Sequence, residues 1–228
     1  MNGTGEIGIV LLSLKVAFWA SAASLPFAIA VGFVLARKDF PGKTLFDAIV
    51  HLPLVLPPVV VGFALLLLFG RGGPLGRLLE PLGIVFSFRW TGAALAAAIM
   101  GFPLMVRAVR LAIQSVDSRL ESAARTLGAH RTRVFFTVTL PLAWPGVITG
   151  TLLAFARSLG EFGATITFVS NIPGETQTLP LAIYSLTQVP GHGEEIVRLC
   201  ILSVALSLGA LALSETLMRR GSSGARLG

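Results

Sequence analysis

Charge is what this 228-residue sequence has least of, with only 13% of its residues Asp, Glu, Lys or Arg. That is about half the share usual in soluble domains. A soluble domain of this length needs a charged exterior, so most of this exterior faces something other than water, and lipid is the medium that fits. Cysteine is nearly absent: the single Cys200 lies in an apolar run, which excludes an internal disulfide and a cysteine metal cluster. His51, His130 and His192 are scattered, so no metal site is expected. No Ser/His/Asp set and no paired carboxylates point to catalysis, and neither an inverted repeat nor an intramembrane proton relay points to a lone secondary transporter. No basic stretch is interleaved with aromatics, so the net charge of +7 is read as cationic loops beside a membrane, not as a nucleic-acid surface. Gly42-Lys43-Thr44 ends like a phosphate-binding loop, but the glycine required five residues earlier is Arg37 and no strand precedes it. The chain is expected to bind no ATP and no cofactor.

Long apolar runs are what the sequence has instead. Hydrophobic residues make up 54% of the chain and mean hydropathy is +0.82. A membrane helix needs about 20 apolar residues to cross a core of about 30 Å. Five segments qualify, at 16–35, 48–69, 90–106, 147–168 and 196–217, which predicts a single all-α integral membrane domain over 1–228. The first span begins nearer Ile7 if Lys15 snorkels to the interface. No Lys or Arg precedes Lys15, and the apolar run continues to Ala36, so the N-terminus is expected to be a retained anchor and not a cleaved signal. The segment 178–188 is too short to span and reads as a surface helix or a re-entrant piece.

Basic residues orient the spans. Arg37, Lys38 and Lys43, the arginines of the loop 107–141, and Arg219, Arg220 and Arg226 place twelve cations on one side. Lys15, Arg71, Arg77, Arg89 and Arg198 fall on the other. The expected topology has the N-terminus outside and the C-terminus in the cytoplasm.

Irregular helices are marked by proline and by charge. Pro53, Pro57 and Pro58 each remove a helix donor. They announce either a broken helix lining a pathway or irregular first turns at the interface. Gly146 and Gly150 form a small-residue face for close helix contact. Arg157 and Glu161, i,i+4 neighbours within a span, are either a functional charge pair or a structural salt bridge. Gly160, Gly163, Thr165 and Thr167 offer a small polar wall beside them, suited to the weak contacts a pathway needs. In the loop 107–141, Ser118 and Glu121 have capping-box spacing, so a helix is expected to begin near Arg119. Gly128 is placed to end it in a left-handed C-cap, giving a helix about 15 Å long. Ala123 and Ala124 let another surface approach that helix closely.

This loop resembles the signature of ABC importer permeases, in which Glu-Ala-Ala is followed by a glycine and, later, an aliphatic residue and Leu-Pro. Ala123, Ala124, Gly128, Val138, Leu140 and Pro141 match it, while Ser122 stands where the family has Glu and Glu121 comes one residue early. The stretch 156–184, around Leu159-Gly160-Glu161-Phe162-Gly163, resembles the oxyanion branch of these permeases. With His51 to Gly62 it is most similar to the molybdate permeases, over nearly the whole chain. The resemblance implies a coupling helix that contacts an ATPase groove through Arg119, Ser122, Ala123, Ala124, Arg125, Leu127, Gly128 and Ala129. It also implies two cytoplasmic ABC ATPase subunits carrying the ATP, an extracytoplasmic molybdate-binding protein, and a bacterial inner membrane. Five spans are too few to enclose a pathway, so a second copy of the chain is expected. Pro57, Pro58, Arg157, Gly160, Glu161, Gly163, Thr165 and Thr167 are the candidate pathway or gate residues. Sulfate or tungstate on the same architecture is the alternative cargo.

Overall fold

The computed structural model describes residues 3–224, and these form a bundle of α-helices. Helix α1 (Gly3–Arg37) contains the first expected span and extends past both of its ends. Its 35 residues reach about 52 Å, more than the bilayer core requires, so both ends emerge from it. Ser13, Ser21 and Ser24 donate their hydroxyls to the carbonyls of Ile9, Ala17 and Ala20 at 2.9, 2.9 and 2.7 Å. Each polar side chain thus closes on its own helix, and none opens onto lipid. The Lys15 ammonium lies 3.7 Å from the centre of the Trp90 ring, a partner at the start of a neighbouring helix.

The second expected span is two helices, α2 (Lys43–Val55) and α3 (Pro58–Phe69), bent 111° apart. Pro57 and Pro58 cause the bend. Together they remove two donors, and Leu56 before them is extended at φ −70°, ψ 143°. Pro58 then opens α3 at a position where no intrahelical donor is needed. Helix α2 buries no residue of its own and is tied down by Asp47, whose Oδ2 accepts from Arg110 Nη1 at 2.9 Å. A short helix, α4 (Pro74–Leu79), and a 3₁₀ turn at Glu80–Leu82 lead to α5 (Trp90–Ser115).

Helix α5 is the centre of the bundle. Its buried face runs from Gly92 through Ala96, Met100, Val106 and Val109 to Ile113, and α1 packs along it. Beyond it come α6 (Ser118–Thr126) and α7 (Arg131–Val134), then a π-helical turn at Phe135–Thr139 that flows into α8 (Leu140–Leu159). The fourth expected span, 147–168, is corrected here. The helix starts earlier and stops at Leu159, and α9 (Gly163–Val169) resumes after a break. The stop falls where Gly160 and a capping carboxylate replace apolar residues. The segment 178–188 is the short helix α10 (Leu179–Thr187), with Leu179, Leu181, Ala182 and Leu186 buried. The last expected span lies inside α11 (Gly193–Gly224). Among the described residues three helices are long and apolar enough to cross a membrane, or four if the bent α2–α3 pair counts as one.

The glycine face of α8 explains how tightly the centre packs. A Cβ on Gly146 would lie 2.2 Å from Ala112 Cβ, and one on Gly150 would lie 3.0 Å from Ala108 Cβ. Close approach of small residues drives helix association where lipid gives no hydrophobic advantage. Gly146→Ile should therefore weaken the bundle by roughly 1–3 kcal/mol through overpacking. The expected reading is a lower unfolding midpoint in a detergent–SDS titration. Gly209→Ala, with open space around it, should leave the midpoint unchanged.

Candidate functional site

Two regions carry the expected functional residues, one outside the apolar bundle and one within it. Outside it is α6. Its N-cap is Asp117, whose Oδ1 accepts from Arg119 N at 2.9 Å, so the expected capping box of Ser118 and Glu121 does not form. Asp is as good a cap as Ser, and it stands one residue earlier. The other end is as expected. Gly128 is left-handed at φ +87°, with Gly128 N donating to Arg125 O at 3.0 Å and Ala129 N to Ala124 O at 3.1 Å. These two bonds make a Schellman motif.

Glu121, released from capping, holds α6 in place. Its Oε1 accepts from Arg37 Nη2 at 3.0 Å and Nε at 3.2 Å, and from Thr139 Oγ1 at 2.8 Å. Arg37 Nη2 also donates to Val116 O at 2.9 Å. One carboxylate thus joins the end of α1, helix α6 and the π-turn that opens α8. Its side chain is 12% exposed and that of Arg37 19%, so the pair is largely shielded from water. Neither spacing nor periodicity could reveal this clamp, because its partners lie 84 and 18 residues from Glu121.

The rest of α6 is presented outward. Arg119, Ser122, Ala123, Arg125, Leu127 and Gly128 are exposed, while Ala124 and Ala129 are half-buried. No residue of α6 is buried, and Leu127 is 88% exposed. A firmly clamped helix with an apolar residue and small side chains on its open face is a surface onto which another protein can close.

Within the bundle, the two chain breaks meet. A Cβ on Gly163 would lie 2.8 Å from Pro58 Cβ, and one on Gly62 only 2.5 Å from the Ala164 carbonyl oxygen. The half-helices α3 and α9 therefore touch backbone to backbone beside Pro57 and Pro58. Arg157 and Glu161 do pair, Nη1 to Oε2 at 2.7 Å, but not along one helix face as expected. Glu161 lies past the end of α8, and its Oε1 accepts from Ala164 N at 2.9 Å, supplying the start of α9 with an acceptor. Oε2 has no hydrogen bond of its own and meets Arg157 as an ion pair. Glu161 is 2% exposed and the Arg157 side chain 30%, so the cation borders open space that the carboxylate does not reach. Of the expected polar wall, Gly160 is exposed, Thr165 is buried, and Thr167 is half-buried with its hydroxyl spent on Gly163 O at 2.8 Å.

A bundle of apolar helices, broken at two adjoining points and carrying a clamped outer helix, is the architecture of a membrane permease. Two solved transporters have a similar fold. They are a bacterial alginate ABC transporter in complex with its pentasaccharide-bound periplasmic protein (TM-score 0.74, 17% identical, 94% of this chain and 78% of that one) and the MetNI methionine ABC transporter (TM-score 0.70, 16% identical, 96% and 94%). The chain belongs to the family of binding-protein-dependent transport system inner membrane components, whose profile matches residues 28–220. It is 63% identical over 211 residues to the molybdenum transport system permease protein ModB of Escherichia coli K12, covering 92% of each chain. It is 56% identical over 216 residues to ModB of Haemophilus influenzae, covering 94% of each. The sulfate transport system permease protein CysW of Synechococcus elongatus is 43% identical over 157 residues, covering 69% of this chain and 55% of that one.

Removing one side of the clamp leaves the other side's charge poorly paired, at a cost of about 1–3 kcal/mol for a partly buried group. Glu121→Gln and Arg37→Gln should each lower the unfolding midpoint. The double substitution should cost less than the sum of the two, as coupled neighbours do. Additive single effects would mean that the contact contributes nothing.

Proposed function

We propose that this chain is the membrane-spanning subunit of an ATP-driven importer of molybdate. It works as a homodimer with two cytoplasmic ATPase subunits and an extracytoplasmic molybdate-binding protein. The cargo rests on one observation, the 63% identity over 92% of the chain to a relative named for molybdenum transport. The proposed orientation puts the N-terminus outside, from the twelve cations on the α6 side against five on the other. Arg226 of that set lies outside the described residues.

In this reading α6 is the coupling helix. ATP binding closes the ATPase subunits and draws the two α6 helices together. The clamp at Glu121 passes that movement to α1 through Arg37 and to α8 through Thr139. The cavity between the two copies then opens outward and receives the dianion from the binding protein, and hydrolysis resets it. The wall of the pathway is the place where the breaks at Pro57, Pro58 and Gly160 to Gly163 meet. Arg157 is paired with Glu161, so a tetrahedral dianion finds a polar but nearly neutral wall and is not held there. Weak contacts of that kind let an ion leave as readily as it enters.

The test is uptake of labelled molybdate in cells lacking the gene, with and without the gene restored. Restored uptake should be blocked by tungstate and unaffected by excess sulfate. Sulfate competing equally would move the cargo to the sulfate branch, and uptake indifferent to the gene would remove the transport reading. Gly128→Val forces a β-branched side chain into a left-handed position, so the C-cap of α6 should be lost and uptake abolished while membrane insertion stays normal. Normal ATP-driven uptake in that variant would overturn the role of α6.

A further inference from the structure

The space on the inner side of the clamp is unassigned. A cavity of about 670 Å³ opens between the end of α1, helix α6 and the π-turn. Arg37, Lys38, Arg125 and Arg131 line it, against the single carboxylate Glu121. Arg37 is engaged by Glu121, and Arg125 Nε donates to the Glu121 carbonyl at 3.2 Å. Lys38 and Arg131 have no ion pair among the described residues. The opposite wall is apolar and aromatic, formed by Phe33, Phe135 and Phe136, and Phe136 is 65% exposed. The Phe33 and Phe135 rings meet edge-to-face with centroids 4.9 Å apart.

The lining is thus amphipathic, and it sits where membrane helices end. A free inorganic anion would use the cations and leave the aromatic wall idle. A peptide would find no unpaired backbone edge to join. A molecule with a phosphate at one end and hydrocarbon at the other satisfies both walls, and basic pockets between helices at the membrane surface hold anionic headgroups in this way.

We propose that this cavity binds an anionic phospholipid, its phosphate between Lys38 and Arg131 and the upper part of its acyl chains against Phe33, Phe135 and Phe136. The site shares the clamp residues Arg37 and Glu121 with α6, so a bound lipid braces the joint through which α6 is held. The inference does not depend on the cargo.

The experiment is native mass spectrometry of the permease assembled with its ATPase subunits, delipidated and then titrated with phosphatidylglycerol or phosphatidylcholine. A single phosphatidylglycerol adduct per permease chain is expected, with no comparable phosphatidylcholine adduct. Lys38→Gln with Arg131→Gln should weaken that adduct by roughly fivefold for each charge removed, about twenty-five-fold together. Both residues are exposed, so the unfolding midpoint should not move. Four results would overturn the proposal. They are equal binding of the two lipids, displacement of phosphatidylglycerol by excess inorganic phosphate, adducts seen only in the permease without its ATPase subunits, or unchanged affinity in the double variant. The second would assign the cavity to a free anion and the third would assign it to the ATPase surface. The comparison of the two lipids on the unaltered protein stands even if the double variant folds poorly.

Discussion

Every backbone donor and acceptor at membrane depth must find its partner inside the protein, because lipid offers none. Continuous helices meet that demand by themselves. Where the chain leaves a helix, the α2–α3 break is closed by backbone bonds around Leu56 and Pro57, and at other breaks polar side chains embedded in apolar runs take over. Glu161 accepts from Ala164 N where α9 begins. Ser13 on α1 accepts from Leu179 N at 2.8 Å, so the start of α10 is capped by a helix 166 residues away. Thr176, fully buried, accepts from Ile172 N at 2.8 Å and donates to Ser170 O at 3.1 Å, fastening the turn between α9 and α10. Ser170 needs that support, since its φ of 63° and ψ of −165° lie in a region normally occupied by glycine.

The α8–α9 break is sealed by Glu161 and the α2–α3 break by backbone bonds, and the two sit together. Gly62 and Gly163 let α3 and α9 touch at distances no Cβ would tolerate. The wall formed there is largely backbone, with few side chains to shape it. Such a wall has polarity without strong charge, the more so because Glu161 compensates Arg157. The same carboxylate therefore closes the fold and sets the electrostatics of the candidate pathway. Substituting it would change both, and activity alone would not separate them.

Legibility in the sequence followed the range of the interaction. Apolar runs announced the membrane helices, consecutive prolines announced an irregularity that the α2–α3 break resolves as one of its two readings, and Gly128 announced the end of α6. All of these are decided within a few residues. At the start of α6 the cap is Asp117, one residue before the expected Ser118. The run 147–168 read as one span because hydropathy counts Gly160 and Phe162 as compatible with a helix, whereas a buried carboxylate two residues past Leu159 stops it. The Arg37–Glu121–Thr139 clamp left no local trace at all. Arg37 read as a loop cation and Glu121 as part of a cap, and nothing local singled out Thr139.

The clamp also decides how force can travel. Helix α6 buries none of its residues, so hydrophobic packing does not fix its place. What holds it are the covalent ends, the cap at each terminus and the three side-chain bonds at Glu121. Two of these go to the last residue of α1 and one goes to the π-turn, a widened stretch of helix at the foot of α8. A load on α6 is therefore delivered to α1 and α8 at once. Both of those helices lie against α5 with small residues at the contact, Gly32 on Val109 from one side and Gly146 on Ala112 from the other. Contacts that close leave no room for compression, so α1 and α8 are packed tightly on α5. Helix α2 buries no residue and is held to α5 through Asp47 and Arg110, so the bend at Leu56 is the point where the core meets the wall of the candidate pathway.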